Sequence, residues 1–320
     1  MERRNKRMLT SILYRVIMST PDCRQGKYTE ETVMKQLMIS STFNLCSKNG
    51  ADASEYIKRG AAFYREHGFD AAEFSASLLD LTTDAWREEV ETAIKASEQT
   101  GTVFYGSHLP FLGGGGIKDD AFMEQFDKKM HNAIDAMAAL GVRYAVLHPN
   151  ASTVPMKNFD RRAQYDTVMR HLAPYVEHAS RVGLPVVVEN MRVIHGMRHS
   201  HRYCQTPEEL CEIADALGVG VCWDFGHANI SGIRQSEGLA YIGSRLKAVH
   251  INDNSGIDDD HVVPFAGNVD WHDAMHGLAL AGYTGTLNFE ISTNQIPEKL
   301  RGSFADYLAD VAHELMTYIE

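Results

Sequence analysis

One alternation, repeated eight times, constrains this chain more than any other feature: a short apolar run rich in β-branched or aromatic residues, then a longer segment with helix signals. The runs predicted as strands are Lys35–Thr42, Asp70–Ser75, Val103–Ser107, Arg143–His148, Pro185–Glu189, Gly220–Asp224, Leu246–Asn252 and Thr286–Ile291. Several are almost continuously apolar, as at Val186-Val187-Val188. That pattern suits parallel strands buried on both faces. Between the runs, Thr206-Pro207-Glu208-Glu209 offers an N-cap, a proline at the first helical position and a glutamate at the capping-box position. Gly183 stands where a helix C-terminal glycine belongs, and Asp270 is placed to cap a helix starting at Trp271.

Eight strand–helix units in 320 residues predict an α/β fold, a (β/α)8 TIM barrel, as a single domain over 34–320. Residues 1–33 read as an N-terminal extension ahead of Met34. An open doubly wound sheet is the alternative, but no GxGxxG follows the first strand. Four consecutive glycines, Gly113–Gly116, follow the third strand and read either as a mobile lid over a ligand or as a plain surface loop.

The net charge of −11 sets the surface against phosphate backbones and anionic lipid, so nucleic acid is an unlikely partner. No apolar stretch is long enough to cross a membrane. The basic start MERRNKR faintly resembles a signal peptide, but Thr10, Ser11, Tyr14 and Arg15 interrupt its apolar middle. Five scattered cysteines (Cys23, Cys46, Cys204, Cys211, Cys222) with no CxxC predict reduced thiols in a cytoplasmic protein.

In a barrel, chemistry sits where strands end. The third run is followed by His108, the fourth ends at His148, the fifth at Glu189 and the sixth at Asp224, with His227 just beyond. The seventh gives His250 and Asp253, the eighth Glu290, and the loop after the seventh adds Asp259 and His261. A lone histidine at such a place is more often a hydrogen-bonded structural residue. Six successive strands delivering carboxylates and imidazoles after apolar runs need compensation for their desolvation, which a divalent cation supplies. An oxygen-rich set with one imidazole suits Mn²⁺, Mg²⁺ or Co²⁺, and a histidine-rich multinuclear set suits Zn²⁺.

On the motifs VEN at 188–190, WDFGHANI at 223–230, HINDNSGIDDDHVVPFAGNVDW at 250–271 and FEIS at 289–292, the chain resembles the xylose isomerase-like barrel superfamily. That group includes sugar isomerases, sugar epimerases and endonuclease IV, and the resemblance covers roughly residues 35 to 315. It implies a metal held by Glu189, Asp224, His250 and Glu290, with His227 contacting a substrate oxygen. It further implies proton transfer through an enediolate, with Glu189 and Glu290 as the acid/base pair on a sugar or sugar phosphate. Homodimers and homotetramers are common among such barrels.

Substrate contacts are expected from Arg192 and His201 in the basic loop that also carries His195, Arg198, His199 and Arg202, and from Trp271 and Phe111. A solvated loop and core aromatics are the bland readings of the same residues. One rival function is an endonuclease IV-like zinc phosphodiesterase on abasic DNA. Its nine ligands find counterparts in His108, His148, Glu189, Asp224, His227, His250, Asp259, His261 and Glu290. Against it, no basic stripe is apparent, and Asp258-Asp259-Asp260 would face phosphates badly. A keto-sugar or keto-inositol dehydratase, or a deglycosylating lyase, would share the proton abstraction and differ only in the next step.

Overall fold

A computed structural model of the chain describes residues 37–48, 50–112, 119–192, 194, 196 and 199–319. The proposed extension 1–33, the glycine run 113–116, His195 and Arg198 lie outside the described residues. Eight parallel strands close a barrel: β1 (Met38–Thr42), β2 (Ala71–Ser75), β3 (Val103–His108), β4 (Tyr144–Leu147), β6 (Val186–Glu189), β8 (Gly220–Asp224), β9 (Leu246–Ile251) and β10 (Thr286–Phe289). The TIM-barrel expectation therefore holds, and the open-sheet alternative falls, because β1 pairs with β10.

The helices start and stop where the local chemistry directs. Thr206 accepts the Glu209 amide at the start of α5 (Pro207–Leu217), Asp270 accepts the Asp273 amide at the start of α8 (Trp271–Leu280), and Gly183 closes α4 (Arg161–Val182) with φ of 76°. Among the described residues, no helix is long and apolar enough to cross a membrane. Cys46, Cys204, Cys211 and Cys222 are buried free thiols.

A second sheet escaped the periodic reading. The loops after β4 and β6 contain β5 (Thr153–Pro155) and β7 (Ser200–Arg202), which pair antiparallel with Thr153 opposite Arg202. Three-residue strands carry no periodicity, so nothing in the sequence distinguishes them from loop.

Strand alternation builds the interior in layers. Inward residues of β4, β6, β8 and β9 form a small apolar cluster of Val146, Val187, Cys222 and Ala248, with Tyr144. Two positions further along each strand, on the same face, come His148, Glu189, Asp224 and His250. Register sets the neighbours: Glu189 lies opposite Cys222, Asp224 opposite His250, and His250 opposite Asn288. The main core fills the space between barrel and helices.

At the start of the barrel, Phe43 contacts the rings of Tyr56, Tyr64, Phe74 and Phe104 at centroid distances of 5.6, 5.2, 5.9 and 5.3 Å. This aromatic knot ties β1, β2 and β3 to the helix Ala53–Glu66. Phe43→Ala is expected to cost about 3–5 kcal/mol of unfolding free energy. Urea denaturation followed by circular dichroism measures it, and a loss under about 1 kcal/mol would show that the cluster collapses around the cavity.

Candidate metal and substrate site

The strand ends gather five imidazoles and five carboxylates in one place: His108, His148, His227, His250 and His261 with Glu73, Glu189, Asp224, Asp259 and Glu290. Nine of these ten were singled out from the sequence. Glu73 was not, although a lone charge inside the run Ala71-Ala72-Glu73-Phe74 carries the same desolvation signal. Glu73 sits in the middle of β2 and not at its end, buried, with Oε2 3.1 Å from His250 Nε2.

Donor atoms fall into three groups, each within 4.8 Å: His108, His148 and Glu189; Glu189, Asp224, His250 and Glu290; and His227, Asp259 and His261. Glu189 belongs to the first two. Its Oε2 is 2.8 Å from His148 Nε2 and 3.6 Å from His108 Nε2, yet the oxygen has no aligned hydrogen-bond donor. Close approach without a shared proton is what lone pairs converging on one point produce. His108 Nε2 and His148 Nε2 also face each other at 3.0 Å. His250 Nδ1 stands 3.3 Å from Glu189 Oε1 and 3.0 Å from Glu290 Oε2. In the third group Asp259 Oδ2 lies 3.5 Å from His227 Nε2 and 3.3 Å from His261 Nε2. This donor chemistry fits divalent cations.

Other atoms of the chain fix the orientation of the imidazoles. His108 Nδ1 bonds the Leu109 carbonyl oxygen at 2.8 Å, His227 Nδ1 that of Asn190 at 2.8 Å and His261 Nδ1 that of Glu290 at 2.7 Å. In each case Nδ1 donates, so the Nε2 lone pair of the neutral ring points into the cluster, as metal-ligating histidines require. Asn190 does more. Its side chain accepts the Asp224 amide at 2.7 Å and donates to the Asp224 carbonyl at 3.0 Å, extending the β6–β8 ladder by one rung. Asn252 donates to Asp224 Oδ2 at 2.7 Å.

The electrostatics are those of crowded charges taken out of water. Burial raises Asp224 to about 6. Burial opposes charge on His227 and His261, but the adjoining carboxylates, Asp224 and Asp259 for His227 and Asp259 and Glu290 for His261, hold them at about 9 and about 10. Burial pushes His148 down to about 4, whereas His108, despite its burial, is raised by Glu189. Glu290 is held at about 2, against its burial, by His250 and His261.

The expected substrate residues are placed as follows. Phe111 is 53% exposed and lays its ring on His148 at 4.4 Å, so it is no core aromatic. Arg192 reaches the site, its Nε 2.8 Å from Asp259 Oδ2. Trp271 does not: it is buried beside Phe225 and donates Nε1–H to Asp253 at 3.0 Å. Asp253 is an organiser of the loop it begins, accepting the Phe265 and Val269 amides as well. His201 is likewise withdrawn. Its Nε2 bonds Glu209 at 2.8 and 3.0 Å, which takes Glu209 away from the capping-box bond to Thr206 that the sequence suggested. Two cavities open here, of about 680 and 360 Å³, sharing His108, Phe111, Asp259, His261 and Glu290.

The family model of the xylose isomerase-like TIM barrel matches residues 61–310. The chain belongs to that family. It is 29% identical over 162 residues to the uncharacterized protein y4fM of Sinorhizobium fredii, covering 50% of this chain and 51% of that protein. It is 29% identical over 184 residues to the uncharacterized protein MJ1311 of Methanocaldococcus jannaschii, covering 56% of this chain and 61% of that one. The matches thus span little more than half the length of these relatives. Among solved structures, a D-tagatose 3-epimerase-like protein superposes with a TM-score of 0.67 at 20% identity, over 88% of this chain and 98% of the other. The D-allulose 3-epimerase from Methylomonas sp. in complex with D-allulose gives 0.67 at 18%, over 89% and 98%. The 3-keto-D-glucoside 4-epimerase from E. coli gives 0.62 at 18%, over 88% and 99%. At these identities the likeness is one of fold.

Against its burial, Cys222 and the carboxylates of Glu73, Glu290 and Glu189 hold His250, the imidazole of the four-donor group, well above the ordinary histidine range in the metal-free protein, and ligation requires the neutral ring. Loading Mn²⁺ or Zn²⁺ should therefore release protons and weaken as pH falls. Calorimetry in buffers of different ionisation heat reads the release, and a binding enthalpy independent of buffer refutes it.

Proposed function

We propose that the chain is a metal-dependent isomerase or epimerase of sugars that moves a proton on a carbon beside a carbonyl. One observation carries the reading. Glu189 from β6 and Glu290 from β10 reach the same atom, His250 Nδ1, at 3.3 and 3.0 Å, from separate parts of the barrel rim. One carboxylate is nearly buried, with 1% of its side chain exposed, and reaches only the smaller cavity, whereas the other is 24% exposed and lines both. Two carboxylates around one point, differing in access to solvent, suit removal of a proton on one side of a substrate carbon and return on the other. The solved structures of similar fold that are named as sugar epimerases support the same class.

Glu189, Asp224, His250 and Glu290 would hold the metal. Bound there, a divalent cation supplies Lewis-acid stabilisation of negative charge developing on substrate oxygens. The chain supplies the rest. Glu290, open to the cavity, takes and returns the proton that must exchange with solvent. Glu189, locked between His148 and His250, serves the opposite face. His227, positioned by the Asn190 carbonyl, presents Nε2 toward a substrate oxygen. Phe111 offers an apolar face to the sugar and narrows the water path over His148.

Incubating a panel of ketoses and their phosphates in D₂O should give α-carbon deuterium incorporation. Glu290→Gln and Glu189→Gln are each expected to slow it by about 10²-fold or more. Exchange that survives both substitutions rules out these roles. A second reading, a multinuclear phosphoester hydrolase, is favoured by the presence of three donor groups, two of which share Glu189. Elemental analysis of the purified protein separates the two. Three zinc ions per chain with cleavage of abasic DNA, and no exchange on any sugar, would replace the isomerase reading, whereas one manganese-like ion with exchange upholds it.

A further inference from the structure

Two arginines enter the smaller cavity from the loop after β6, and one of them has little to do there except meet a ligand. Arg202 ends β7, and its backbone is held by pairing with Thr153 and by the Gln205 side chain accepting its amide at 3.1 Å. The residue is only 9% exposed. A guanidinium carries five N–H donors. Among the described residues only Nε has a hydrogen-bond partner, the Ala151 carbonyl at 3.0 Å. Its two terminal amino groups are left to the cavity of about 360 Å³, which Arg202 lines with Arg192, Glu189 and His227. Arg192 places Nε 2.8 Å from Asp259 Oδ2, and among the described residues its terminal nitrogens have no hydrogen-bond partner.

A buried cation with unspent donors is costly unless an anion completes it. The neighbouring carboxylates of the donor groups supply long-range compensation but no hydrogen bond to its terminal nitrogens. One fork matches a carboxylate bidentately, whereas a tetrahedral group with three free oxygens draws donors from two forks at once. We infer that the substrate carries a phosphoryl group and that Arg202, with Arg192, is the clamp that selects it. On the reading of the site as one for sugars, the substrate class is a sugar phosphate: the phosphoryl group fills the smaller cavity and the reacting carbon lies by Glu290. The two-stranded ribbon β5–β7 then has a purpose, since it holds Arg202 rigid before the ligand arrives.

Inorganic phosphate is the probe. Calorimetry on the metal-loaded protein should detect phosphate binding, with acetate and a neutral ketose as controls. Arg202→Met is expected to weaken it about tenfold or more, a difference of about 1.4 kcal/mol. Arg202→Lys, which keeps charge and stem but not the fork, should restore only part, and it stands in if the Met variant fails to fold. Metal content, which the clamp does not touch through Arg202, should stay unchanged. Phosphate affinity equal to wild type in the folded Arg202 variants, or no greater than that for acetate, overturns the clamp. In the D₂O assay the same variants should lose more kcat/KM on ketose phosphates than on neutral ketoses. Exchange on neutral ketoses alone, indifferent to Arg202, sinks the clamp and leaves the isomerase standing. Arg202-dependent phosphate binding without exchange on any ketose phosphate does the reverse.

Discussion

Everything above the apolar floor of this barrel depends on one electrostatic constraint: ten ionisable side chains share a volume from which water is largely excluded. Glu73, Asp224 and His250 are at most 1% exposed, and Glu189 equally so. An uncompensated carboxylate there would give up its charge. The chain offers two kinds of compensation. Protons collect on His227 and His261, and hydrogen bonds from Asn252 and the His227 amide satisfy Asp224. Atoms such as Glu189 Oε2 and Asp259 Oδ1 remain without an aligned donor. That residue of unmet valence is what a cation would take up.

The same constraint explains the support around the cluster. Asn190 imitates a peptide group to lock the ends of β6 and β8, so Glu189 and Asp224 are positioned as a unit. Gly226, just after Asp224, leaves no room for a side chain: a Cβ there would meet Asn252 Oδ1 at 1.9 Å. Any residue but glycine would push Asn252 off Asp224. Asp253 gathers the Phe265, Val269 and Trp271 donors and so folds the long loop back, and that loop brings Asp259 and His261 over the barrel. Candidate donors need groups that aim them, and precision in the first needs rigidity in the second.

Much of this was legible in the sequence, because a parallel barrel makes position along a strand equivalent to depth. His148, Glu189, Asp224 and His250 each stand at the end of an apolar run, and each lies two residues past an inward apolar neighbour, so strand position alone marks them as one layer. What failed was long-range. Trp271 and His201 were expected at the substrate, but their polar atoms are claimed by Asp253 and Glu209, partners set by loop folding and not by strand period. Arg202 was one basic residue among several in a loop, and only its pairing with Thr153 lifts it out of solvent. Glu73 is the opposite case: its signal, a charge inside an apolar run, lies in mid-strand and not at the strand end where barrel chemistry is expected.

Charge balance joins the metal to the substrate. With its imidazoles neutral, the cluster carries the charge of five carboxylates, and Arg192 and Arg202 offset two of them. A single divalent ion removes two more, leaving one negative charge that a protonated imidazole such as His227 can match. In that state the cavity is near neutral, and a dianionic phosphoryl group must be accepted mainly on the strength of the two forks. Three divalent ions would instead leave a surplus of positive charge, and phosphate would be held by the metals themselves with the arginines as auxiliaries. How sharply phosphate binding depends on Arg202 is therefore linked, through electrostatics alone, to how many ions the nine donors hold.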